Sequence, residues 1–349
     1  MKKLTVLNVA YPFAPVGTDA VGGAEQILTQ LDYALAYAGH QSLVVACEGS
    51  ITAGTLVATP PVNGTVTEER RRWNHEQHRA AIDHALGRWQ VDVVHFHGID
   101  FYAYLPAPRV PLLATLHGPR SWYPPELFSL GRNDLFFHCV SASQRRTCPV
   151  DAPLLPSIPN GVSREYGRVR HGKRPYAVAL GRICPEKNFH VAINAAKKAD
   201  FGLLLAGQVF HWDPHQQYYR CEILPRLDHR RLHIGPVGFV RKRRLLAAAR
   251  CLLLPSLASE TSSLVAMESL ACGTPVVAYP AGALPDIVEH GKTGFIVEDE
   301  AGMAEAIHAA AELDPEACRE AARTRFSLDR MIRRYFDLYH QLAREPVHA

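Results

Sequence analysis

Two cations stand five residues apart in the segment 181–188, Gly-Arg-Ile-Cys-Pro-Glu-Lys-Asn, which lies between an apolar run and a helical period. Arg182 offers a forked pair of hydrogen bonds and Lys187 a compact point charge, so together they suit a diphosphate. A solvated loop is the alternative interpretation, because exposed charges are common without any ligand. The position directly after a predicted strand favours anion binding.

Two glutamates, Glu260 and Glu268, are separated by seven residues in the segment 259–278. If Glu260 caps a helix, Glu268 lies about two turns further along, near the same face and roughly 12 Å away along the axis. That separation is too large for a shared proton or for a pair of glycosidase carboxylates. It suits one long ligand that is held at two hydroxyl-bearing points. The alternative is a helix-dipole contact for Glu260 and a surface position for Glu268.

A glycine pair, Gly22-Gly23, separates the first apolar run from the helical period that follows it. Glycines allow a ligand to approach the backbone closely, and a helix N-terminus supplies N–H donors and partial positive charge. A tight turn explains the pair equally well. The segment is neither G-x-G-x-x-G nor a P-loop, which disfavours an ordinary dehydrogenase or NTPase.

Three histidines follow or occupy strand patterns in the first half of the chain. His117 ends a predicted strand, where a lone histidine is more often structural than functional. His95 and His97 alternate on one strand face and suggest zinc, but no third ligand stands at a suitable spacing. No metal site is therefore predicted.

The elements that must position these residues are short apolar runs alternating with helical periods, which indicates a parallel α/β fold. Residues 149–174 are rich in Pro, Gly and charge and form the predicted linker between two such series. Two doubly wound domains facing a cleft are expected, with ligands beyond the carboxyl ends of the strands. The predicted strands are 4–9, 42–47, 91–96, 111–116, 135–140, 176–180, 202–206, 232–234, 251–254, 275–278 and 294–297. The clearest predicted helices are 24–38, 189–198, 264–271 and 327–342.

Composition bounds the function. The chain has 349 residues, enough for about two domains, and 38 Lys and Arg against 34 Asp and Glu, a balance too mild to demand nucleic acid. Eight scattered cysteines without C-x-x-C indicate reduced, buried thiols and a cytoplasmic protein. No apolar stretch is long enough to span a membrane. The cluster 241–244, Arg-Lys-Arg-Arg, opens a predicted helix ending at Leu254; it is either a solvated first turn or a basic surface for peripheral contact with the inner membrane face.

The chain resembles the family 4 glycosyltransferases of the GT-B fold over nearly its whole length. Besides the motifs above, the resemblance is carried by the segments 158–162 (Ile-Pro-Asn-Gly-Val), 255–256 (Pro-Ser), 273–278 (Gly-Thr-Pro-Val-Val-Ala) and 293–297 (Thr-Gly-Phe-Ile-Val). It implies two Rossmann-like domains, at 1–165 on the acceptor side and 166–326 on the nucleotide-sugar side. It also implies that a terminal segment, 327–349, crosses back to the first domain as a helix.

The same resemblance implies roles for individual residues. Arg182 and Lys187 would hold the diphosphate, Glu268 the ribose hydroxyls, and Glu260 the transferred sugar. Glu260, His117, Arg182 and Lys187 form the expected catalytic set. Further expected donor contacts are Gly22, Gly23, the 261–264 amides (Thr261, Ser262, Ser263, Leu264), and the base-binding residues Gly235, Val237, Gly238 and Phe239. Phe239 would stack on the base or pack in the core. The usual Glu-Gly/Ser-Phe-Gly motif is altered here, since the residues after Glu260 include neither Phe nor Gly.

The implied function is retaining, metal-independent transfer of a sugar from an NDP-sugar to an acceptor hydroxyl. No cofactor is expected, a UDP-sugar is favoured as donor, and the acceptor is a saccharide, a lipid-linked molecule or a small molecule. The missing Asp-x-Asp argues against the metal-dependent class. Two alternatives remain open: a GT-B nucleotide-sugar epimerase and a non-catalytic sugar-nucleotide-binding protein.

Overall fold

Two six-stranded parallel sheets, each flanked by helices, make up the computed structural model, which describes residues 2–61, 64 and 66–344. The α/β prediction is confirmed. The chain divides into two units: unit 1 contains the residues up to Pro159 together with those from Met331 onward, and unit 2 is Asn160–Arg330.

Unit 1 has the strand order β3-β2-β1-β4-β5-β6. Its strands are β1 (Thr5–Val9), β2 (Gln41–Cys47), β3 (Thr55–Thr59), β4 (Val93–Phe96), β5 (Leu112–Leu116) and β6 (Leu135–Cys139). The helices are α1 (Gly23–Tyr37), α2 (Glu68–Arg88) and α3 (Ala142–Arg146). The inner strands are almost continuously buried, as expected for a parallel sheet with helices over it. The sequence did not predict β3, because this edge strand is only partly buried and its apolar run is only Leu56-Val57-Ala58.

Unit 2 repeats this arrangement, with the order β12-β11-β10-β7-β8-β9. Its strands are β7 (Tyr176–Leu180), β8 (Gly202–Ala206), β9 (Arg231–His233), β10 (Leu252–Leu254), β11 (Val276–Ala278) and β12 (Gly294–Ile296). Its helices are α4 (Phe189–Lys198), α5 (Asp213–Tyr218), α6 (Phe239–Ala248), α7 (Leu264–Ala271), α8 (Leu284–Ile287), α9 (Glu300–Ala309) and α10 (Pro315–Arg325). In each sheet the order reverses beside the first strand, between β1 and β4 and between β7 and β10. Such reversal points are where open α/β sheets leave a crevice for ligands.

Two expectations overlapped at residues 251–254: the strand is confirmed, and the helix expected to run to Leu254 is wrong in its bounds. Helix α6 begins earlier, at Phe239, and ends at Ala248. The following residues form β10, which is wholly buried and pairs with β7 and β11. The apolar run Leu252–Leu254 therefore satisfies its backbone through the sheet rather than through a helix.

The predicted linker is held by hydrogen bonds rather than being a free tether. The Leu155 N–H donates to the Phe137 carbonyl inside unit 1, and the Val162 N–H donates to the Phe326 carbonyl inside unit 2, each at 2.8 Å. Tyr166 is 4% exposed and belongs to the core of unit 2. The chain consequently changes units after Pro159, six residues earlier than the expected boundary at Glu165.

Helix α11 (Leu328–Leu342) places two buried tyrosines against the sheet of unit 1. The Tyr339 hydroxyl lies 2.7 Å from Nδ1 of His95, and the Thr115 hydroxyl lies 2.7 Å from Nε2 of the same ring. The Tyr335 hydroxyl lies 3.3 Å from Thr115 Oγ1. His95 on β4 and Thr115 on β5 are thus each in hydrogen-bond contact with a tyrosine of the last helix. Within the part of the chain that the structure describes, no helix combines the length and apolarity needed to cross a membrane.

Truncating Tyr339 to Ala should lower the free energy of unfolding of unit 1 by about 3–5 kcal/mol, because a fully buried aromatic side chain is lost. Tyr37→Ala is the matched control: Tyr37 is 97% exposed, and its loss should change stability by less than about 0.5 kcal/mol. Urea unfolding followed by tryptophan fluorescence reports mainly on unit 1, which holds Trp73, Trp89 and Trp122. Equal effects of the two substitutions would contradict this account of α11.

Candidate functional site

The loops after β7 and β10 meet at the reversal point of the unit 2 sheet. Arg182 lies two residues beyond β7, and Glu260 lies six residues beyond β10. The two loops are joined through the main chain, because the Leu257 N–H donates to the Glu186 carbonyl at 2.9 Å. The sheet therefore brings the predicted cations and the first predicted carboxylate to one edge.

Both predicted phosphate-binding cations have carboxylate neighbours. Lys187 Nζ lies 2.5 Å from Glu260 Oε1, and both side chains are largely buried. An Arg182 guanidinium nitrogen lies 3.8 Å from a Glu186 carboxylate oxygen. The carboxylates hold the two cations near the strand ends. An anionic ligand there could take the place of a carboxylate or bind the same cation alongside it.

Glu260 is positioned by its backbone. Its carbonyl accepts a hydrogen bond from the Ala283 N–H at 2.7 Å. The preceding Gly282 has φ +59°, and a Cβ there would lie 2.2 Å from the Glu260 carbonyl oxygen. Only glycine fits such a left-handed, crowded position. A side chain at residue 282 would displace Glu260.

Glu260 does not cap a helix, so that expectation is wrong. Helix α7 begins at Leu264 with Ser263 as its N-cap, because the backbone of Glu260 is engaged with Ala283 and the chain turns only afterwards. The Met267 N–H bonds to the Ser263 carbonyl, which leaves the amides of the first turn without an acceptor inside the helix. The buried hydroxyl of Ser262 has no hydrogen-bond partner among the residues described. This turn can receive an anion or a sugar hydroxyl.

Glu268 is 3% exposed, so the surface interpretation is wrong. Its Oε1 accepts a hydrogen bond from the Tyr166 hydroxyl at 2.6 Å and an ion pair from Lys242 Nζ at 2.7 Å. Burial, with the charge of Glu268 as the next cause, raises the pKa of Tyr166 well above its ordinary value. The Tyr166 hydroxyl therefore remains a donor at neutral pH.

Lys242 and Tyr166 are site residues that the sequence analysis missed. Lys242 stands four residues before the buried Leu246 on α6, so the two lie on one face of the helix. That spacing is the sequence pattern that could have indicated an inward-facing Lys242. Arg243 also turns inward, with a guanidinium nitrogen 2.9 Å from the Glu165 carbonyl oxygen. Only the flanking Arg241 and Arg244 are exposed in this basic cluster.

The predicted base-binding segment lies beside α6. The Gly235 carbonyl accepts from the Gly207 N–H at 3.0 Å, and Gly238 is the N-cap of α6. Phe239 packs on the core of unit 2, with its ring centroid 5.1 Å from that of Tyr166. Of the two alternatives for this side chain, the structure favours core packing. Val237 and Phe239 are both half-buried.

In unit 1, Gly22 is the N-cap of α1 beside the reversal point, and a Cβ there would lie 1.8 Å from a Glu25 carboxylate oxygen. Gly23 opens the helix and is exposed. His117 follows β5, and its Nε2 lies 3.1 Å from His97 Nδ1. Burial lowers the pKa of His117 to about 3, so its ring is neutral at physiological pH. The donor-binding roles of Gly22, Gly23 and His117 stay predictions.

The sequence predicted no metal site, yet three side chains with metal-binding atoms converge in unit 2. They are Cys184 and Glu186, on the loop that carries Arg182 and Lys187, and His215 on α5. Spacing along the chain could not reveal this group, because the histidine comes from α5, the helix that follows the next strand, β8.

Two family models match successive parts of the chain. The model described as Glycosyltransferase Family 4 matches residues 21–165, and that described as Glycosyl transferases group 1 matches residues 174–312.

Similar proteins span nearly the whole chain. Glycogen synthase of Mycobacterium tuberculosis (strain ATCC 25618 / H37Rv) is 27% identical, over 92% of this chain and 89% of that protein. Sucrose-phosphate synthase from Thermosynechococcus elongatus has a TM-score of 0.80 at 20% identity, covering 97% of this chain and 99% of the other. The Anabaena protein HepE, solved with UDP and glucose, has a TM-score of 0.74 at 17% identity, covering 97% and 100%. The likeness to the two solved structures establishes the fold.

Replacing Lys242 with Met should destabilise unit 2 by about 3 kcal/mol, because a buried carboxylate loses its cation. Arg244→Met is the control, since Arg244 lies on the same helix and is exposed; its effect should stay below about 0.5 kcal/mol. Urea unfolding followed by circular dichroism measures both. A Lys242 variant as stable as the Arg244 variant would show that the Lys242–Glu268 pair does not hold α6 to α7.

Proposed function

This chain belongs to the glycosyltransferases of the GT-B fold, with a family 4 domain followed by a group 1 domain, and on that basis we propose a specific reaction. In this reaction the protein transfers a sugar from an NDP-sugar donor to an acceptor hydroxyl, with retention of the anomeric configuration and without a catalytic metal ion. Unit 2 holds the donor.

The observation that carries this proposal is the grouping of Arg182, Lys187 and Glu260 at the reversal point of unit 2. Two cations and a carboxylate from separate loops meet there, with Lys187 and Glu260 at 2.5 Å. A nucleotide sugar has matching chemistry, since its diphosphate is anionic and its sugar carries hydroxyls. The carboxyl edge of a doubly wound sheet is also where such ligands bind.

Donor binding would give Arg182 and Lys187 a new anionic partner, so neither cation would be left unpaired. The diphosphate replaces Glu186 beside Arg182 and shares Lys187 with Glu260. Negative charge then grows on the diphosphate as the glycosidic bond breaks, and the two fixed cations stabilise it more strongly than they stabilise the bound donor. Glu260 keeps an oxygen to accept a hydroxyl of the transferred sugar.

The nucleoside would be held further along α7. Tyr166 and Lys242 both reach Oε1 of Glu268, which orients the carboxylate so that Oε2 accepts the ribose hydroxyls. The first-turn amides of α7 and the Ser262 hydroxyl, which has no partner among the described residues, supply donors for phosphate and sugar oxygens. The segment 235–239 would place the base.

Retention and metal independence are proposed from the family resemblance. Front-face attack needs no protein nucleophile, because the leaving phosphate takes the proton of the acceptor hydroxyl. No cofactor is then required, and Arg182, Lys187 and helix N-termini replace a metal ion in neutralising the diphosphate. A UDP-sugar is the proposed donor, in keeping with the UDP bound to the HepE structure.

The acceptor is proposed to be a saccharide, a lipid-linked molecule or a small molecule in the cytoplasm. The exposed Arg241 and Arg244 would support peripheral contact with an anionic membrane surface.

Replacing Arg182 or Lys187 with Ala should lower kcat/KM for the donor by about 10²–10³, because a group that stabilises charge in the transition state is removed. Lys198→Ala is the control, since this lysine is exposed at the end of α4 and should leave kcat/KM unchanged. NDP release is measured with a panel of nucleotide sugars, with and without acceptor. Wild-type kcat/KM in both site variants would place the donor elsewhere, and donor isomerisation without acceptor would identify an epimerase.

Transfer should continue in excess EDTA, and the product should keep the donor's anomeric configuration. Retention is measured from the proton coupling constant at the anomeric carbon by NMR, and metal dependence from initial rates before and after chelation. An inverted product, or a rate abolished by EDTA and restored by Mg²⁺, would contradict the proposed mechanism.

A further inference from the structure

Three side chains of unit 2 present soft and borderline metal ligands to one point. One ligand atom each from Cys184, Glu186 and His215 lies within 4.8 Å of the other two. Cys184 is fully buried and His215 is 6% exposed, whereas Glu186 is half-buried. The group is therefore internal on the thiol and imidazole side and open to solvent on the carboxylate side.

His215 is the least satisfied member of the group. Its Nδ1 is buried and has no hydrogen-bond partner in the described part of the chain. The ring is fixed by contact with Trp212, at a centroid distance of 5.0 Å, and by its position on α5. Leaving a buried nitrogen without a partner is costly, which suggests that a ligand completes the site.

The imidazole and the carboxylate of the group are shifted toward the forms that bind a metal cation, whereas the thiol must lose a proton. Burial lowers the pKa of His215 and so favours the neutral imidazole that binds metals. Burial also raises the pKa of the Cys184 thiol to about 12, so binding must displace its proton. Burial, the largest single influence, raises the pKa of Glu186. Hydrogen bonds from the backbone and from Cys184, together with the charges of Arg182 and His215, lower it by more, so the pKa is lowered overall.

We propose that Cys184, Glu186 and His215 form a zinc-binding site. Thiolate, imidazole and carboxylate are the ligand types that zinc takes in proteins, and small side-chain movements bring them to tetrahedral spacing. Three protein ligands leave a fourth position, which water would fill on the solvent side beside Glu186. Mg²⁺, which prefers six oxygen ligands, does not fit this set.

The site lies on the loop that positions the two phosphate-binding cations. Glu186 is both a proposed zinc ligand and the carboxylate 3.8 Å from Arg182. Zinc would draw this carboxylate away and leave the guanidinium to the donor diphosphate. The zinc ion would thus lower the KM for donor without taking part in the chemistry, a consequence that rests on the proposed function.

Metal binding is tested on the full chain, stripped with EDTA and dialysed, in the absence of any nucleotide. Co²⁺ is titrated first, because cobalt bound to a thiolate shows a sulfur-to-metal charge-transfer band in the near ultraviolet. Zn²⁺ affinity is then measured by competition with a chromophoric chelator. The variants are Cys184→Ser and His215→Gln, and the matched controls are Cys221→Ser and His211→Gln, which alter exposed residues of the same region.

The expected result is one metal per chain, with the charge-transfer band lost in Cys184→Ser and affinity reduced at least tenfold in His215→Gln. Both control variants should bind as the wild type does. Circular dichroism shows that each variant is folded; should Cys184→Ser fail to fold, His215→Gln decides alone. Absence of stoichiometric binding, a band that survives in Cys184→Ser, equal losses in the controls, or preference for Mg²⁺ over Zn²⁺ would overturn the site.

Donor KM, measured with and without Zn²⁺, tests the second step separately. The KM should rise severalfold on chelation in the wild type and stay constant in His215→Gln, with kcat unchanged in both. A zinc site that binds but leaves the donor KM untouched would overturn only the link to Arg182. If the protein binds zinc but transfers no sugar, the proposed function is overturned and the zinc-site proposal still stands.

Discussion

The adjacency of β7 and β10 is the constraint on which the rest of the site depends. Because the chain leaves β7 in one direction and returns to β10 on its other side, the loops after these strands meet over the same sheet edge. The hydrogen bond between Leu257 and Glu186 then fixes one loop to the other. Lys187 and Glu260, which are 73 residues apart, reach salt-bridge distance as a result. Displacing either strand would separate these two charges.

At the candidate site of unit 2, charge is arranged in small, partly desolvated groups. Glu268 receives both Lys242 and Tyr166, while Glu260 receives Lys187. Taking such groups out of water is costly unless each keeps its partner, so helices α6 and α7 are constrained to one relative position. The mildly basic composition of the chain therefore does not show that Lys187 and Lys242 are already paired with carboxylates at the site. A ligand at this site competes with built-in partners, which favours an anion with several charges over a single carboxylate.

Much of the fold could be predicted because buried parallel strands are continuous apolar runs. The bounds of β7, β8, α4 and α7 agree with the sequence patterns, whereas β3 has only a weak apolar signal. Residue pairs in the site were harder to predict. The spacing of Glu260 and Glu268 indicated one ligand held at two points, but not that a bend at Glu260 delays the helix until Leu264. Lys242, Tyr166 and His215 come from other elements, and their proximity depends on packing that no local period records.

The order of the chain has a consequence for its synthesis. Unit 2 is inserted into unit 1, which resumes at Met331 within the last helix. While the polypeptide emerges from the ribosome, the sheet of unit 1 is made first, yet its His95 and Thr115 receive their tyrosine partners only after α11 is translated. Unit 2 is contiguous and can close as soon as its own residues are available. During translation the nascent chain would therefore hold a folded second unit while the first unit still lacked its last helix. The incomplete sheet of the first unit is the part that a chaperone would need to cover.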